Sequence, residues 1–315
     1  MDSPTTVSVI GAGTMGAGLA VQFARHGHRV TLVDHRQANL DDARLRIADA
    51  VDLLVEESLA ETTAEELFER VEFTLDQDAG VSSAALVVES VSEDIDVKRA
   101  LFRDVGAAAP DDAILASNTS GLRITDIAAG AERYADRIVG CHWWNPPYVM
   151  PLVELVPGEA TSDETMDELE RLVESVDRTP IRVQRDAPGF VWNRVQFAVL
   201  RECMHIVDEG IASVEAVDTA VREGYALRTA TVGPFETVDI SGVDLFRTIA
   251  EGLYPELSAR QTPSERFDDL LDAGREGVAA GAGFHEYDES LESVVRRRDR
   301  EIARVRNALD ANDER

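Results

Sequence analysis

A histidine and a glutamate lie twelve residues apart in CHWWNPPYVMPLVELVPG, residues 141–158. An imidazole is a general base suited to neutral pH, and His142 could take the proton of an alcohol. Glu154, set inside the apolar run PLVELV, can bond the other ring nitrogen, fix its tautomer and stabilise the imidazolium. A packed core needs neither polar group. A strand ending at Trp143-Trp144, a Pro-Pro turn and a second strand would bring the pair face to face, with the tryptophans excluding water. A lone histidine in a strand is more often structural, so what else the chain carries decides its role. His26, His28, His35, His205 and His285 have no comparable setting and read as structural or exposed. Cys141, beside the base, reads as a small core residue, and with Cys203 it makes no disulfide framework. No cluster of Cys and His has metal-ligand spacing.

A second chemical element is GAGTMG, residues 11–16. Gly11 allows a tight turn after the strand Val7–Ile10, and Gly13 lets the backbone approach a pyrophosphate. Gly16 lets the following helix pack closely on its strand. Free N–H groups at that helix start, from Thr14 and Met15 onward, would meet the phosphates. HRVTLVD supplies the next strand and ends at Asp34, 18 residues past Gly16. A carboxylate there accepts from the ribose hydroxyls of NAD and repels the extra phosphate of NADP, while Arg36 nearby weakens that exclusion. NAD is the expected cofactor.

The elements around these motifs alternate. A helical stretch covers roughly 37–70. VEFTLD and AALVVESVSED (84–94) read as strands, DVKRALFRDVGAAA as helix, and AILASNTSG (113–121) as strand and turn. RIVGCHWW (137–144), PLVELVPG and RTPIRVQRD add three more strands. From APGFVWNRVQFAVLRECMHIVDEG onward the period becomes helical, with no convincing strand before GFHEYD. The expected class is α/β, with an N-terminal Rossmann-type doubly wound sheet over residues 1–186 and an all-helical domain over 187–315.

Composition limits the partners. The chain has 60 acidic and 31 basic residues, a net charge of −29, and Lys98 is its only lysine against 30 arginines. Such a surface disfavours nucleic acid and anionic membranes. It suits a soluble protein in high salt, and a halophilic source explains the missing lysines, which an ordinary acidic protein does not. The N-terminus runs straight into a strand and no apolar run approaches spanning length, so the cytoplasm is expected. The run RRRDREIARVRNALD (296–310) reads as a solvated helix whose arginines pair with internal acids rather than with a phosphate ligand.

Seven ordered motifs, GAGTMG, VVESVSED, SNTSGL, HWWNP, PLVELV, PGFVWNR and GPFETVD, resemble the L-3-hydroxyacyl-CoA dehydrogenase family over nearly the full length. The resemblance implies His142 as catalytic base and Glu154 as its orienting carboxylate. It implies that Ser120 and Asn193 hold the reacting oxygen, and that Asn145 and Glu89 line the nicotinamide end. It also implies a homodimer made through the helical domain, and a substrate in the cleft between domains, oxidised from an L-3-hydroxy to a 3-oxo compound. The 6-phosphogluconate and 3-hydroxyisobutyrate dehydrogenases share GxGxMG but use a lysine of the helical domain, and Lys98 lies in the Rossmann half. A non-catalytic role, as in lambda-crystallin, would fit a chain lacking the His–Glu pair, and this chain has both.

On substrate the resemblance divides. Coenzyme A users carry lysines after the second strand, where this chain has RQANLDDARLRIADAVDLLVEESLAE (36–61), with only Arg44 or Arg46 to substitute. NPPYVMPLVELVPG, GFVWNRVQFAVLRE and REGYALRTATVGPFET are closer to the branch containing L-gulonate 3-dehydrogenase and lambda-crystallin. That branch acts on free hydroxy acids such as L-gulonate or, by extension, L-carnitine. Arg228 would then pair with a substrate carboxylate, unless it makes an ordinary salt bridge. GAGFHEYD instead resembles the ending common among coenzyme A enzymes. The 3-hydroxyacyl-CoA expectation stands first as the family's commoner chemistry.

Overall fold

The strands are β1 (Thr6–Ile10), β2 (Arg29–Val33), β3 (Val71–Thr74), β4 (Leu86–Glu89), β5 (Ile114–Ser117), β6 (Ile138–Trp143), β7 (Leu152–Pro157) and β8 (Thr179–Arg182). In the computed structural model, which describes residues 4–313, they form one sheet ordered β3-β2-β1-β4-β5-β6-β7-β8. All neighbours are parallel except β6 and β7. The order reverses between β1 and β4, which opens a crevice beyond their carboxyl ends at Ile10 and Glu89.

Sequence explains the layering. The central strands are near-continuous apolar runs, as burial on both faces requires. Val7 and Val9 of β1 face the helices Thr14–Arg25 and Gln37–Glu56, through Leu19, Phe23, Ile47 and Leu54. Ile10 and Leu115 face the opposite layer, with Phe102 and Val105 from Ile95–Ala108. Fully burying a Leu or Phe of this kind stabilises by about 1.5–3 kcal/mol.

The helical stretch expected over 37–70 is two helices, Gln37–Glu56 and Ala64–Phe68. Ser58, at φ 59°, turns the chain out of the first. The second starts at Thr63, whose hydroxyl accepts from the Glu66 amide while the Glu66 side chain bonds back to the Thr63 amide. The T-x-x-E pattern of that capping box was readable in the sequence.

The described residues divide into two compact units. One runs through Asn193 and takes back Asp299–Ala308; the other is Arg194–Arg298 with the residues from Leu309 on. The first unit extends past residue 186 because the backbone after Pro188 bonds to Glu154, on β7. The helix Leu291–Asp313 is less solvated than its charges imply. Ala303 is fully buried with Leu53 and Val149, while Arg300 and Arg304 pair with Glu56 and Glu57. The second unit is helical, with Val214–Ala220, Pro234–Ser241, Val243–Leu253 and Arg266–Asp272. Among its described residues the only β contacts are isolated bridges Gly277–Ala282 and Ala282–Glu286. The architecture is a Rossmann-type sheet domain followed by a helical domain.

Candidate active site

The antiparallel pairing of β6 and β7 places His142 directly opposite Glu154. The ring Nδ1 lies 2.8 Å from Glu154 Oε2, with the two residues only 3% and 0% exposed. Glu154 Oε1 accepts from the amides of Val191 and Trp192 at 2.9 and 3.0 Å. Gly189 and Phe190 adopt φ of 76° and 48°, a left-handed turn that presents those two amides. Phe190 is a bulky residue in a strained region, which is typical where function fixes the backbone. Burial alone would raise the Glu154 carboxyl. The His142 ring and the Trp192 and Val191 amides outweigh it and hold the group below the usual carboxylate range. An ionised Glu154 fixes the proton on Nδ1, and Nε2 has no hydrogen-bond partner among the described residues. Trp144 and Phe190 flank the imidazole at ring distances of 4.8 and 5.7 Å, and Trp192 lies 4.6 Å from Trp144. Cys141 is buried, and that burial pushes its thiol up to about 12, so it stays an unreactive core group.

The SNTS turn follows β5. Asn118 Oδ1 accepts from the Trp143 amide at 2.9 Å, tying this turn to the end of β6. The carbonyl of Ser120 accepts from Asn193 Nδ2 at 2.7 Å, while the Ser120 hydroxyl has no partner among the described residues. The structure therefore assembles His142, Glu154, Ser120 and Asn193 within the first unit, through two direct bonds and one bridging asparagine. Asn145 is exposed in the turn after β6. Arg228 lies in the second unit, exposed on the short helix Leu227–Thr229, and its guanidinium has no partner among the described residues.

At the crevice, Gly11 has φ 103°, and a Cβ there would lie 2.4 Å from the Ser90 carbonyl oxygen. A Cβ on Gly16 would meet the Gly11 carbonyl oxygen at 1.7 Å. A Cβ on Gly13 would enter open space, the space a pyrophosphate needs, beside helix Thr14–Arg25, whose N-terminus has no side-chain cap. Asp34 receives the Ala12 amide at 2.8 Å on Oδ2, and the Arg36 amide and Asn39 side chain on Oδ1. Gly13, Asp34, Asn39 and Ser90 line a cavity of about 450 Å³. Open backbone, a free helix N-terminus and an acid at the second strand fit NAD.

Glu89 differs from a simple cofactor wall. Its oxygens accept from Lys98 Nζ at 2.6 Å and the Ser117 hydroxyl at 2.6 Å, both buried, and from the half-buried Val91 amide at 2.8 Å. Lys98 also approaches Glu93 at 3.3 Å. Glu93 accepts in turn from the Thr119 hydroxyl and from the amides of Ser120 and Gly121. Burial works against its charge, yet Thr119 and Lys98 hold it below the usual carboxylate range. Lys98 and Glu93 thus shape the SNTS turn, a role that the sequence assigns to neither. The signal was a single lysine kept in a chain that otherwise uses arginine.

Residues 6–187 match the sequence model for 3-hydroxyacyl-CoA dehydrogenase, NAD binding domain, and residues 189–287 match that for its C-terminal domain. The chain is 34% identical over 308 residues to 5-formyl-3-hydroxy-2-methylpyridine 4-carboxylate 5-dehydrogenase of Mesorhizobium japonicum, covering 98% of this chain and 99% of that one. A crystal structure of an enzyme of that name, described as an NAD+-dependent dismutase, superposes with a TM-score of 0.90 at 33% identity, covering 98% of this chain and 99% of that one. The (S)-3-hydroxybutyryl-CoA dehydrogenase of Ralstonia eutropha superposes with a TM-score of 0.74 at 32% identity, covering 91% and 100%. With the Rossmann crevice and both domain matches in place, this chain belongs to the 3-hydroxyacyl-CoA dehydrogenase family of NAD-dependent oxidoreductases acting on CH–OH groups.

Proposed function

We propose that the chain oxidises the hydroxyl group of a small free hydroxy acid to the carbonyl, with His142 as base. The observation that carries the chemistry is the buried His142–Glu154 bond, which leaves Nε2 free to receive a proton. Ser120 and Asn193 hold the substrate oxygen near Nε2. His142 takes the hydroxyl proton there, and Glu154 stabilises the imidazolium as it forms. Bound NAD supplies the acceptor for the hydride that leaves the carbinol carbon. Gly11, Gly13, Thr14, Met15, Gly16 and Asp34 bind that cofactor, and Glu89 and Asn145 support its nicotinamide end. Trp144, Trp192 and Phe190 limit water around the imidazole, which strengthens each polar contact.

The free-acid substrate is favoured over a coenzyme A thioester by what surrounds the segment after β2. Arg44, one of two arginines there that could replace phosphate-binding lysines, stacks on Phe73 at 3.6 Å. Glu56 and Glu57 close that segment, paired with Arg300 and Arg304 of a helix beyond both matched family regions. The full-length likeness to an enzyme named for a pyridine carboxylate points the same way. Arg228 is the proposed partner of the substrate carboxylate. The thioester remains the second reading, carried by the names of both matched family regions.

A homodimer is proposed through the second unit, whose Phe235, Ile240 and Tyr254 are 85%, 71% and 71% exposed. Among the described residues no helix is long and apolar enough to cross a membrane. Activity at high salt is proposed from charge alone.

The test follows NADH formation in about 2 M KCl, chosen for the acidic surface. L-3-hydroxybutyryl-CoA is offered against free L-gulonate, L-carnitine, L-3-hydroxybutyrate and a hydroxymethyl pyridine carboxylate. Turnover of a free acid, with a KM that rises at least tenfold in Arg228→Ala, is expected. Turnover of the thioester alone overturns the substrate assignment and makes Arg228 structural.

A further inference from the structure

The connection between β6 and β7, residues 145–151, lies between the proposed base and its carboxylate, so its position bears on both. It is gripped from three sides. Arg178, buried with its side chain 0% exposed, donates from Nε and Nη2 to the Pro147 carbonyl at 3.2 and 3.1 Å. The same guanidinium reaches Gln22 Oε1 at 2.5 Å and the Asp177 carbonyl at 2.5 Å. Gly18, in helix Thr14–Arg25, lies so close that a Cβ would be 2.6 Å from Pro147 Cγ. The third grip comes from far along the chain. Arg306 donates to the Val149 carbonyl at 2.9 Å and to Asp177 Oδ2 at 3.1 Å, and Ala303 packs fully buried against Val149 and Leu53. Asn307 adds a bond from Nδ2 to the Glu57 carbonyl at 2.7 Å. Both matched family regions end before this segment, the second at residue 287.

We infer that Arg306, with the segment Asp299–Ala308 that carries it, is a positioning element of the dehydrogenase site. It acts by holding the 145–151 connection, and through it Asn145 and the His142–Glu154 alignment. The inference rests on the proposed role of His142. Arg306 bonds to Val149 and Asp177, neither of them a residue proposed to bind substrate or cofactor. It fixes the far end of a turn whose near end leaves the base, and a misplacement of about 1 Å at such a site costs up to about 100-fold in rate, a smaller one proportionately less.

The experiment uses the full chain with three substitutions. Arg306→Ala removes both bonds, Ala303→Glu forces the segment off Leu53 and Val149, and Arg306→Lys keeps the charge. Arg297→Ala, which breaks a pair with Glu289 in the segment just before this helix, is the control. The expected result is a kcat lower by about tenfold in the first two, with NADH affinity within about threefold, partial rescue in Arg306→Lys, and no change in Arg297→Ala. Amide exchange at Val149 and Met150, which bond to the Pro146 carbonyl, should quicken at least tenfold in Arg306→Ala. Exchange is read without turnover, so it stands even where wild-type protein oxidises none of the offered alcohols, the outcome that refutes the proposed function instead. Unchanged exchange at those amides, or unchanged kcat in folded Arg306→Ala and Ala303→Glu, overturns the inference.

Discussion

Replacing Glu154 by glutamine keeps size and shape while removing one charge from a buried site. The amide oxygen can still accept from Val191 and Trp192, which now bond Oε1 at 2.9 and 3.0 Å, so the local fold should survive. The amide nitrogen is then left facing His142 Nδ1, where the carboxylate sits at 2.8 Å. Two N–H donors cannot share that contact. The imidazole therefore moves its proton to Nε2, the atom that must receive one. Loss of a charge-assisted bond to the imidazolium costs about 1.5–3 kcal/mol, which is roughly 10- to 150-fold in rate. The wrong tautomer brings the loss toward about 10⁴-fold, the size seen when a triad carboxylate is amidated. The assay is NADH formation from saturating substrate across pH, in wild type and Glu154→Gln. We expect kcat to fall by about 10²- to 10⁴-fold. The acidic limb should move to lower pH, because the imidazolium has lost its counter-charge. A variant with kcat within about threefold of wild type and an unmoved limb refutes Glu154 as the orienting group. Stability supplies an independent reading. The folded carboxyl lies below its ordinary value of 4.5, so its stabilising effect is full above that pH and is lost as pH falls through the folded value. Wild type should lose thermal stability faster than Glu154→Gln on acidification below 4.5.

His142→Gln should lower kcat by more than about 10³-fold while NADH affinity, read by fluorescence, stays within about threefold; retained turnover sinks the assignment of the base. Asp34→Ala should raise KM for NAD by about 10- to 100-fold, from the charge-assisted bonds it forfeits, and narrow the preference over NADP. An unchanged NAD-to-NADP ratio would remove Asp34 from cofactor selection. Lys98→Met leaves Glu89 buried without its cation, a loss of about 3–5 kcal/mol that should lower Tm by roughly 10 °C. Calorimetry showing no drop would mean that Ser117 and the Val91 amide satisfy Glu89 alone.

What the sequence showed, and what it hid, follows from the range of the interactions. The crevice was legible because Gly11, Gly13, Gly16 and Asp34 lie within one strand–helix–strand unit, where spacing alone sets geometry. The His142–Glu154 pair was legible because a single turn joins antiparallel neighbours, so twelve residues determine the register. The split of the 37–70 stretch came from local chemistry that was present and unread, a left-handed Ser58 and the Thr63–Glu66 box. Contacts across long sequence separations left no local trace. Arg306 reaches Val149 across 157 residues and Arg304 reaches Glu57 across 247, so the charge run 296–310 resembled a solvated face. Glu89 shows a subtler limit. Its motif marked the right place in the sheet, but only the packing shows that both oxygens are taken by Lys98, Ser117 and Val91.

Glu154 ties these proposed site residues together. One oxygen bonds His142, the proposed base, and the other terminates the backbone turn at Val191 and Trp192. The next residue, Asn193, reaches the Ser120 carbonyl, so the groups proposed to hold the substrate oxygen are placed from the same carboxylate. An aspartate at this position would be one methylene shorter and could satisfy only one side of that bridge. The base would lose its orienter, or the turn would lose the two amide bonds that set where Asn193 begins. The strained φ of 48° at Phe190 is consistent with this demand, since that turn must face two amides toward β7 rather than continue in an unstrained extended path. Base alignment and oxygen placement are therefore coupled. Substitutions at Glu154 and Asn193 should be non-additive for that reason, with the double variant losing less activity than the product of the two single losses.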